Sequence, residues 1–190
     1  MTPIQQMMLG VGAANKTYLP DVFDIMNYTG DGSNSGRSFT TGVDLSGKGG
    51  MMFVVPRSNG NFHTIADTER GIGTFSYSNG DNAEQTNNDR YGSVTSTGYT
   101  LGSGANNGYI NYDGYTYANY TFRKAAGFFT VITYTGNGSE RTISHDLGAN
   151  IGFIMIKRRA SSYDWVCWHE GLDSSYGSDA WLTWSSPSGM

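Results

Sequence analysis

Residues 129–159 read FTVITYTGNGSERTISHDLGANIGFIMIKRR: an apolar run, a glycine turn, a short polar run, a second glycine turn and a second apolar run. Residues 23–57, FDIMNYTGDGSNSGRSFTTGVDLSGKGGMMFVVPR, repeat that order. Within them, residues 28–32 (YTGDG) match residues 134–138 (YTGNG), a register shift of 134 − 28 = 106. Apolar runs of strand length between glycine turns predict β-strands, and the repeat predicts two copies of one β-module.

The repeat divides the chain into three parts. We predict an N-terminal docking or anchor segment over residues 1–21, a β-sandwich module over 22–127, and a second, truncated copy over 128–190 that packs on or completes the sandwich. Judged by the first copy, the second would need about 40 more residues to be complete. We therefore expect a natural truncation, a fragment, or a copy that another chain completes.

The composition favours an all-β protein. The 190 residues include 27 glycines and 13 tyrosines, whereas only 15% are charged. Aromatic residues make up 14% of the chain and supply core area that disordered chains lack. Glycine turns between aromatic and β-branched runs are typical of all-β proteins. We predict an all-β, antiparallel β-sandwich.

Charge and hydropathy exclude several classes of function. The net charge is −4, and no basic stripe or recognition helix is visible, which argues against nucleic-acid binding. There is no charged segment followed by an apolar stretch, so we expect no secretory signal. No apolar run reaches about 18 residues, so we expect no membrane insertion.

The strands are expected where apolar or alternating runs lie between turn residues. Residues 109–122 are predicted to form a hairpin around Asp113-Gly114. The other predicted strands of the first copy are residues 22–27, 37–43, 50–57, 62–66, 74–77 and 92–101, with 50–57 as an inner strand. Those of the second copy are residues 128–134, 141–144, 152–158, 165–169 and 180–184.

The sequence offers little for catalysis. The neighbours His145-Asp146 and His169-Glu170 place a base beside a carboxylate, but the repeat does not require His145, whose counterpart is Val43. Cys167 is the single cysteine, and a buried apolar role is the simpler interpretation. There is no zinc spacing and no nucleotide or hydrolase motif. We therefore predict a protein that is not an enzyme and has no metal or cofactor.

Two groups of residues are candidate contact sites. An apolar stripe near the N-terminus fits a short helix that docks into another subunit, because adjacent methionines and a leucine are poor residues to leave in water. The tryptophans are candidate contacts with a glycan or a subunit, and we favour core packing or subunit contact over glycan contact. The docking residues are Ile4, Met7, Met8 and Leu9, and the tryptophans are Trp165, Trp168, Trp181 and Trp184.

Several stretches resemble a known group of proteins. KTYLPDVFDIMNYTGDG, GGMMFVVPRSNGNFHTIADTERG, TSTGYTLG, YANYTFRKAAGFFTVITYTGNGSERTISHDLG and GFIMIKRRASSYDWVCWHEGL look like repeat modules of bacteriophage tail fibres and other tail structural proteins, especially of phages that infect cyanobacteria. The opening TPIQQMMLGVGA is also similar to the start of such proteins. The resemblance is most specific over residues 120–159. Phe53-Val54-Val55-Pro56-Arg57 departs from the motif usual in those modules.

The resemblance implies a concanavalin-, jelly-roll- or laminin-G-like sandwich and a structural role in the virion. The protein would be made in the host bacterial cytoplasm and would act in the phage tail, as a fibre or an adaptor that anchors one. Other tail or baseplate proteins would be its partners, and it would be a homo-oligomer, with a trimer favoured. The alternative is a carbohydrate-binding module that recognises a host surface glycan. A third candidate is a depolymerase acting on host polysaccharide.

Overall fold

A computed structural model describes residues 17–87, 89–103, 109–172 and 181–184. Their regular structure is almost entirely β-strand, preceded by one helical turn. In chain order the elements are α1 (Leu19–Val22), β1 (Phe23–Thr29), β2 (Ser38–Thr40), β3 (Gly50–Pro56), β4 (Thr64–Asp67), β5 (Thr74–Tyr77), β6 (Gln85–Thr86), β7 (Tyr91–Thr95), β8 (Gly98–Leu101), β9 (Thr116–Arg123), β10 (Phe153–Ile156), β11 (Trp165–His169) and β12 (Leu182–Trp184).

The first copy forms two antiparallel sheets. The larger has six strands in the order β1-β9-β3-β4-β5-β6, and the smaller has the order β2-β8-β7. β9 lies between β1 and β3, with Tyr117 opposite Tyr28 on one side and Asn119 opposite Val54 on the other. An interior strand of the large sheet is therefore contributed by the end of the first copy.

The core lies between these two sheets. In β3, Met52 and Val54 are fully buried while the residues between them are half-buried, which is the period-two pattern of a strand. The ring of Tyr28 in the large sheet packs against Phe39 of the small sheet at 4.6 Å between centroids, and Phe39 continues to Tyr99 at 5.4 Å. Aromatic and aliphatic side chains from both sheets therefore pack into one core. The predicted all-β sandwich is confirmed.

Two strand predictions for the first copy are wrong. Residues 92–101 form the hairpin β7-β8 rather than one strand. Residues 109–122 do not form a hairpin, because only β9 is a strand there. The segment before β9 is held by the turn after β1 instead: the amide of Gly30 donates to the carbonyl of Tyr115, at 2.8 Å.

The second copy is only partly regular. Its predicted strands over residues 152–158, 165–169 and 180–184 correspond to β10, β11 and β12, which form a three-stranded sheet in that order. The strands predicted over 128–134 and 141–144 are wrong. Their counterparts β1 and β2 pair with β9 and β8, and no equivalent of either lies beside the second copy in the described part of the chain. Backbone groups without a neighbouring strand form no ladder.

Local hydrogen bonds nevertheless recur in both copies. They close the turn after the first apolar run and join the third strand to the residue after the fourth. Arg37 donates to the Thr29 carbonyl at 2.6 Å, as Arg141 does to the Thr135 carbonyl at 2.9 Å. The Ser33 amide donates to the Asp31 side chain at 2.9 Å, as the Ser139 amide does to the Asn137 side chain at 3.1 Å. The Thr68 amide donates to the Gly50 carbonyl at 3.0 Å, as the Glu170 amide does to the Gly152 carbonyl at 2.9 Å. The second copy therefore follows the local design of the first.

The second copy packs on the first through the connection between β10 and β11. The carbonyl of Asp81 accepts hydrogen bonds from the Lys157 ammonium at 2.9 Å and from the Tyr163 amide at 2.8 Å. The indole of Trp165 donates to the carbonyl of Tyr77 at 2.8 Å. The two copies therefore share a polar and aromatic joint.

Candidate functional site

The outward side of the six-stranded sheet carries a row of large side chains. The register across β1, β9 and β3 places Tyr120 opposite both Ile25 and Phe53. The rings of Phe53 and Tyr120 have centroids 5.7 Å apart, and Ile25 is 53% exposed. These side chains point away from the core because alternate residues of each strand, such as Tyr28 in β1, point into it.

A second aromatic row continues this surface. Phe23 and Phe122 pack at 4.9 Å between centroids, and Phe122 contacts Phe129 at 5.3 Å and Phe128 at 6.4 Å. Phe128 is 38% exposed, while Phe23 and Phe122 are half-buried. Contiguous apolar groups that remain partly exposed mark contacts with other proteins. We call this surface the outer apolar face, and it comprises Phe23, Ile25, Phe53, Tyr120, Phe122 and Phe128.

Three tyrosines form a second surface. Tyr112 lies edge-to-face with Tyr109 at 6.1 Å and with Tyr115 at 5.8 Å, while Tyr109 rests on Phe62 at 5.8 Å and Tyr77 at 6.3 Å. Tyr112 and Tyr115 are about two-fifths exposed. Tyr109 has a φ of 68°, a left-handed conformation that is uncommon for tyrosine and that clusters at functional sites. We call Tyr109, Tyr112 and Tyr115 the tyrosine platform.

The four tryptophans chosen from the sequence take different positions. Trp165 is 6% exposed in the joint between the copies, which agrees with the packing interpretation. Trp168 is half-buried in β11, whereas Trp181 is 61% exposed. Trp184 lies opposite Trp165 in the ladder, and its side chain lies outside the described structure. The predicted docking residues also lie outside the described residues: Ile4, Met7, Met8 and Leu9.

The residues weighed for catalysis have local structural partners. Nδ1 of His145 accepts the Leu147 amide at 3.3 Å, and Nδ1 of His169 accepts the Gly171 amide at 2.9 Å. A nitrogen that accepts a backbone N–H is not free to act as a general base. Burial raises the pKa of the Cys167 thiol. No group of three metal-ligating side chains occurs within the described ranges, and no helix there is long and apolar enough to cross a bilayer.

An ion-pair network joins the two copies. Arg70 Nε lies 2.6 Å from Asp67, and its Nη1 lies 3.0 Å from Glu84. Arg159 of the second copy holds the Glu84 carboxylate with two hydrogen bonds of 2.9 Å. Burial acts to raise the pKa of Glu84, but hydrogen bonds from Arg159 and Arg70 outweigh it and hold that pKa below its usual value. This network holds the two copies together, because both arginines bind carboxylates.

Sequence reasoning missed the outer apolar face. It assigned residues 50–57 to an inner strand, which accounts for Met52 and Val54 but not for the apolar residues between them. A strand that is apolar on both faces needs cover on both faces. The alternation of Phe53 and Val55 with the core residues was therefore the signal in the sequence.

Comparison with known proteins gives one family. A family model described as "Domain of unknown function (DUF7483)" matches residues 20–186, which include both copies of the repeat. No curated protein and no solved structure matches the chain. The description names no activity, ligand or partner.

Proposed function

Because the chain belongs to the family described as a domain of unknown function (DUF7483), which carries no assigned activity, we propose a function from its surfaces and its sequence. The protein is a non-enzymatic virion structural protein of a phage tail. It serves as a fibre, or as an adaptor that anchors a fibre, and contributes to attachment to the host. It is made in the cytoplasm of the host bacterium and acts in the particle.

The observation that carries this proposal is the outer apolar face. The sandwich already buries the inner side of its large sheet, yet aromatic and aliphatic side chains also line the outer side. The parts of these side chains that stay exposed gain nothing in a monomer. An oligomer would bury them, and apolar surface removed from water stabilises by roughly 25 cal/mol per Å². Tail fibres are built from such subunit contacts, so we assign the outer apolar face to a homo-oligomer, with a trimer favoured.

Attachment to the tail is assigned to the N-terminus. The apolar stripe of Ile4, Met7, Met8 and Leu9 precedes the matched family region and fits a docking peptide for a tail or baseplate protein. The sandwich then forms the body. This part of the proposal rests on the sequence and on its resemblance to phage tail proteins.

Placing a charge on the outer apolar face is expected to separate the subunits. The double change Ile25→Lys and Phe53→Ser removes apolar area from the proposed contact, while neither side chain belongs to the inner core. Light scattering after size exclusion should show the oligomer converted to monomer, with the β-sheet circular dichroism unchanged. Leu19→Lys, at a residue 61% exposed in α1, is the matched control and should remain oligomeric. A wild-type chain that is monomeric at micromolar concentration would contradict the proposal.

The second candidate function is binding of a host surface glycan. The tyrosine platform favours it, because exposed tyrosine rings with polar hydroxyls suit partly wet contacts with sugar rings. Trp181 is a further exposed ring, although it lies in the second copy.

Removing the tyrosine platform distinguishes this second candidate from the first. Tyr112→Ala with Tyr115→Ala should abolish retention of the chain on host cell-surface polysaccharide, with the melting temperature nearly unchanged, since both side chains are substantially exposed. Tyr163→Ala, at another exposed tyrosine, is the control and should bind like the wild type. Wild-type protein that is not retained by the polysaccharide would eliminate glycan binding.

A further inference from the structure

Arg90 is a buried arginine without an acidic partner. The residue is 5% exposed, and the Nε and Nη1 atoms of its guanidinium are enclosed without a hydrogen-bond partner. No ion pair of Arg90 occurs in the part of the chain that the structure describes. A buried charge lowers stability unless an opposite charge or hydrogen bonds compensate it. Packing alone therefore does not explain an arginine at this position.

Three aromatic rings surround the Arg90 guanidinium. Its Cζ lies 3.8 Å from the ring centroid of Phe75, 5.8 Å from that of Tyr77 and 5.7 Å from that of Tyr109. Aromatic rings attract a cation through their quadrupoles, but they carry no net charge and leave the positive charge uncancelled. Because Tyr109 belongs to the tyrosine platform, this charge lies directly behind that surface.

The other charges around the tyrosine platform are exposed or paired. Asp113 lies in the turn that carries the platform, and its side chain is exposed. Asp31, in the turn that contacts this segment, lies 3.6 Å from Arg37. Water and salt screen exposed charges strongly, whereas a buried charge acts over several ångströms with much less screening. The Arg90 charge is therefore the one that gives the platform its sign.

We propose that the tyrosine platform binds an acidic sugar, in which a sugar ring bears a carboxylate. Tyr112 and Tyr115 supply exposed ring surface against which the sugar packs. The Arg90 charge behind Tyr109 attracts the carboxylate through space, since the enclosed Nε and Nη1 atoms are out of reach of a direct hydrogen bond. The inference rests on the second candidate function, glycan binding, and names its ligand class.

A matched pair of oligosaccharides tests the attraction without any change to the protein. The trisaccharide of galacturonic acid carries a carboxylate on each ring, and its methyl ester has the same rings without the charges. Dissociation constants are measured by NMR titration of the full chain. We expect the acid to bind about tenfold more tightly than the ester, with shifts at the platform tyrosines.

Two arginine variants locate the source of the preference. Arg90→Met removes the charge and keeps apolar contact with Phe75, so the affinity for the acid should fall to that for the ester. The melting temperature should fall by no more than about 3 °C, because the change removes an uncompensated buried charge. Arg158→Met is the matched control, since Arg158 also stacks on a ring, that of Tyr163 at 4.3 Å, but is exposed. Its preference for the acid should equal that of the wild type.

The outcomes separate this inference from glycan binding itself. Equal affinities of wild-type protein for the acid and the ester would overturn the inference and leave glycan binding standing. Binding of neither trisaccharide at about 10 mM would remove both. A loss of both affinities by the same factor in Arg90→Met would also overturn the inference, because Arg90 would then only support the fold. So would inorganic phosphate that displaces the acid and binds as tightly, since the site would then recognise a bare anion.

Discussion

Arg70→Met is expected to lower the free energy of unfolding by about 3–5 kcal/mol. The Arg70 side chain is 8% exposed and pairs with Asp67 and Glu84, whose side chains are 3% and 14% exposed. Removing the arginine leaves the buried Asp67 carboxylate without its cation, while Glu84 keeps its two hydrogen bonds from Arg159. The loss of Coulomb attraction and hydrogen bonds then exceeds what the apolar replacement recovers. Urea denaturation at neutral pH, followed by circular dichroism, measures the change.

The control for this variant is a lysine in a similar role at the surface. Lys124 lies 3.6 Å from Glu69 and 3.8 Å from Asp146, and both carboxylates are well exposed. Lys124→Met should therefore cost less than about 1 kcal/mol. Adding Asp67→Asn and Glu84→Gln to Arg70→Met should restore part of the stability, because no buried charge is then left unpaired. Equal effects of Arg70→Met and Lys124→Met would show that the network carries no special stability.

Gly50→Ala is expected to destabilise the first copy by about 3 kcal/mol. The added Cβ would lie 2.0 Å from the Phe122 carbonyl oxygen and 2.7 Å from a methyl carbon of Leu45. The first contact is with backbone in the centre of the sheet, so relief requires β3 and β9 to move apart. For a chain of this size the melting temperature should fall by about 10 °C, measured by calorimetry.

The repeat provides a matched control for that glycine. Gly152 occupies the corresponding position in the second copy, where an added Cβ meets only the flexible end of Glu170. Gly152→Ala should leave the melting temperature unchanged within about 1 °C, since surface changes of this kind are close to neutral. A large loss of stability in Gly152→Ala would contradict the account, because it would show that a Cβ at this position meets more than the flexible Glu170 side chain.

Many strands and turns of the fold could be predicted from nearby residues, and the repeat indicated the boundaries of the first copy. The apolar run over residues 50–57 and the glycine turn over residues 28–32 have their signals in nearby residues, and both copies show the same turn geometry. The second copy's failed strands have the same local signals as β1 and β2. A strand also needs a neighbour, and the neighbour of β1 is β9, which lies far along the chain. Periodicity carries no information on whether such a neighbour is present.

The candidate surfaces were harder to predict for a related reason. Trp165 and Trp181 have the same side chain, but one packs against the Tyr77 carbonyl and the other is exposed. The burial of each depends on contacts between the two copies, which local sequence does not encode. The outer apolar face depends on the register of three strands. The tyrosine run was visible in the sequence, yet neither the edge-to-face packing of its rings nor the left-handed conformation of Tyr109 could be read from it.

The most direct test of the proposed function is a cryo-electron microscopy map of the phage tail in which the proposal places this chain. The proposal predicts density for the sandwich in the tail, with the outer apolar face buried between copies and residues 1–16 against a tail or baseplate protein. Absence of the chain from the purified particle would contradict a structural role in the virion. A tail in which Ile25 and Tyr120 face solvent in every copy would contradict the proposed subunit contact.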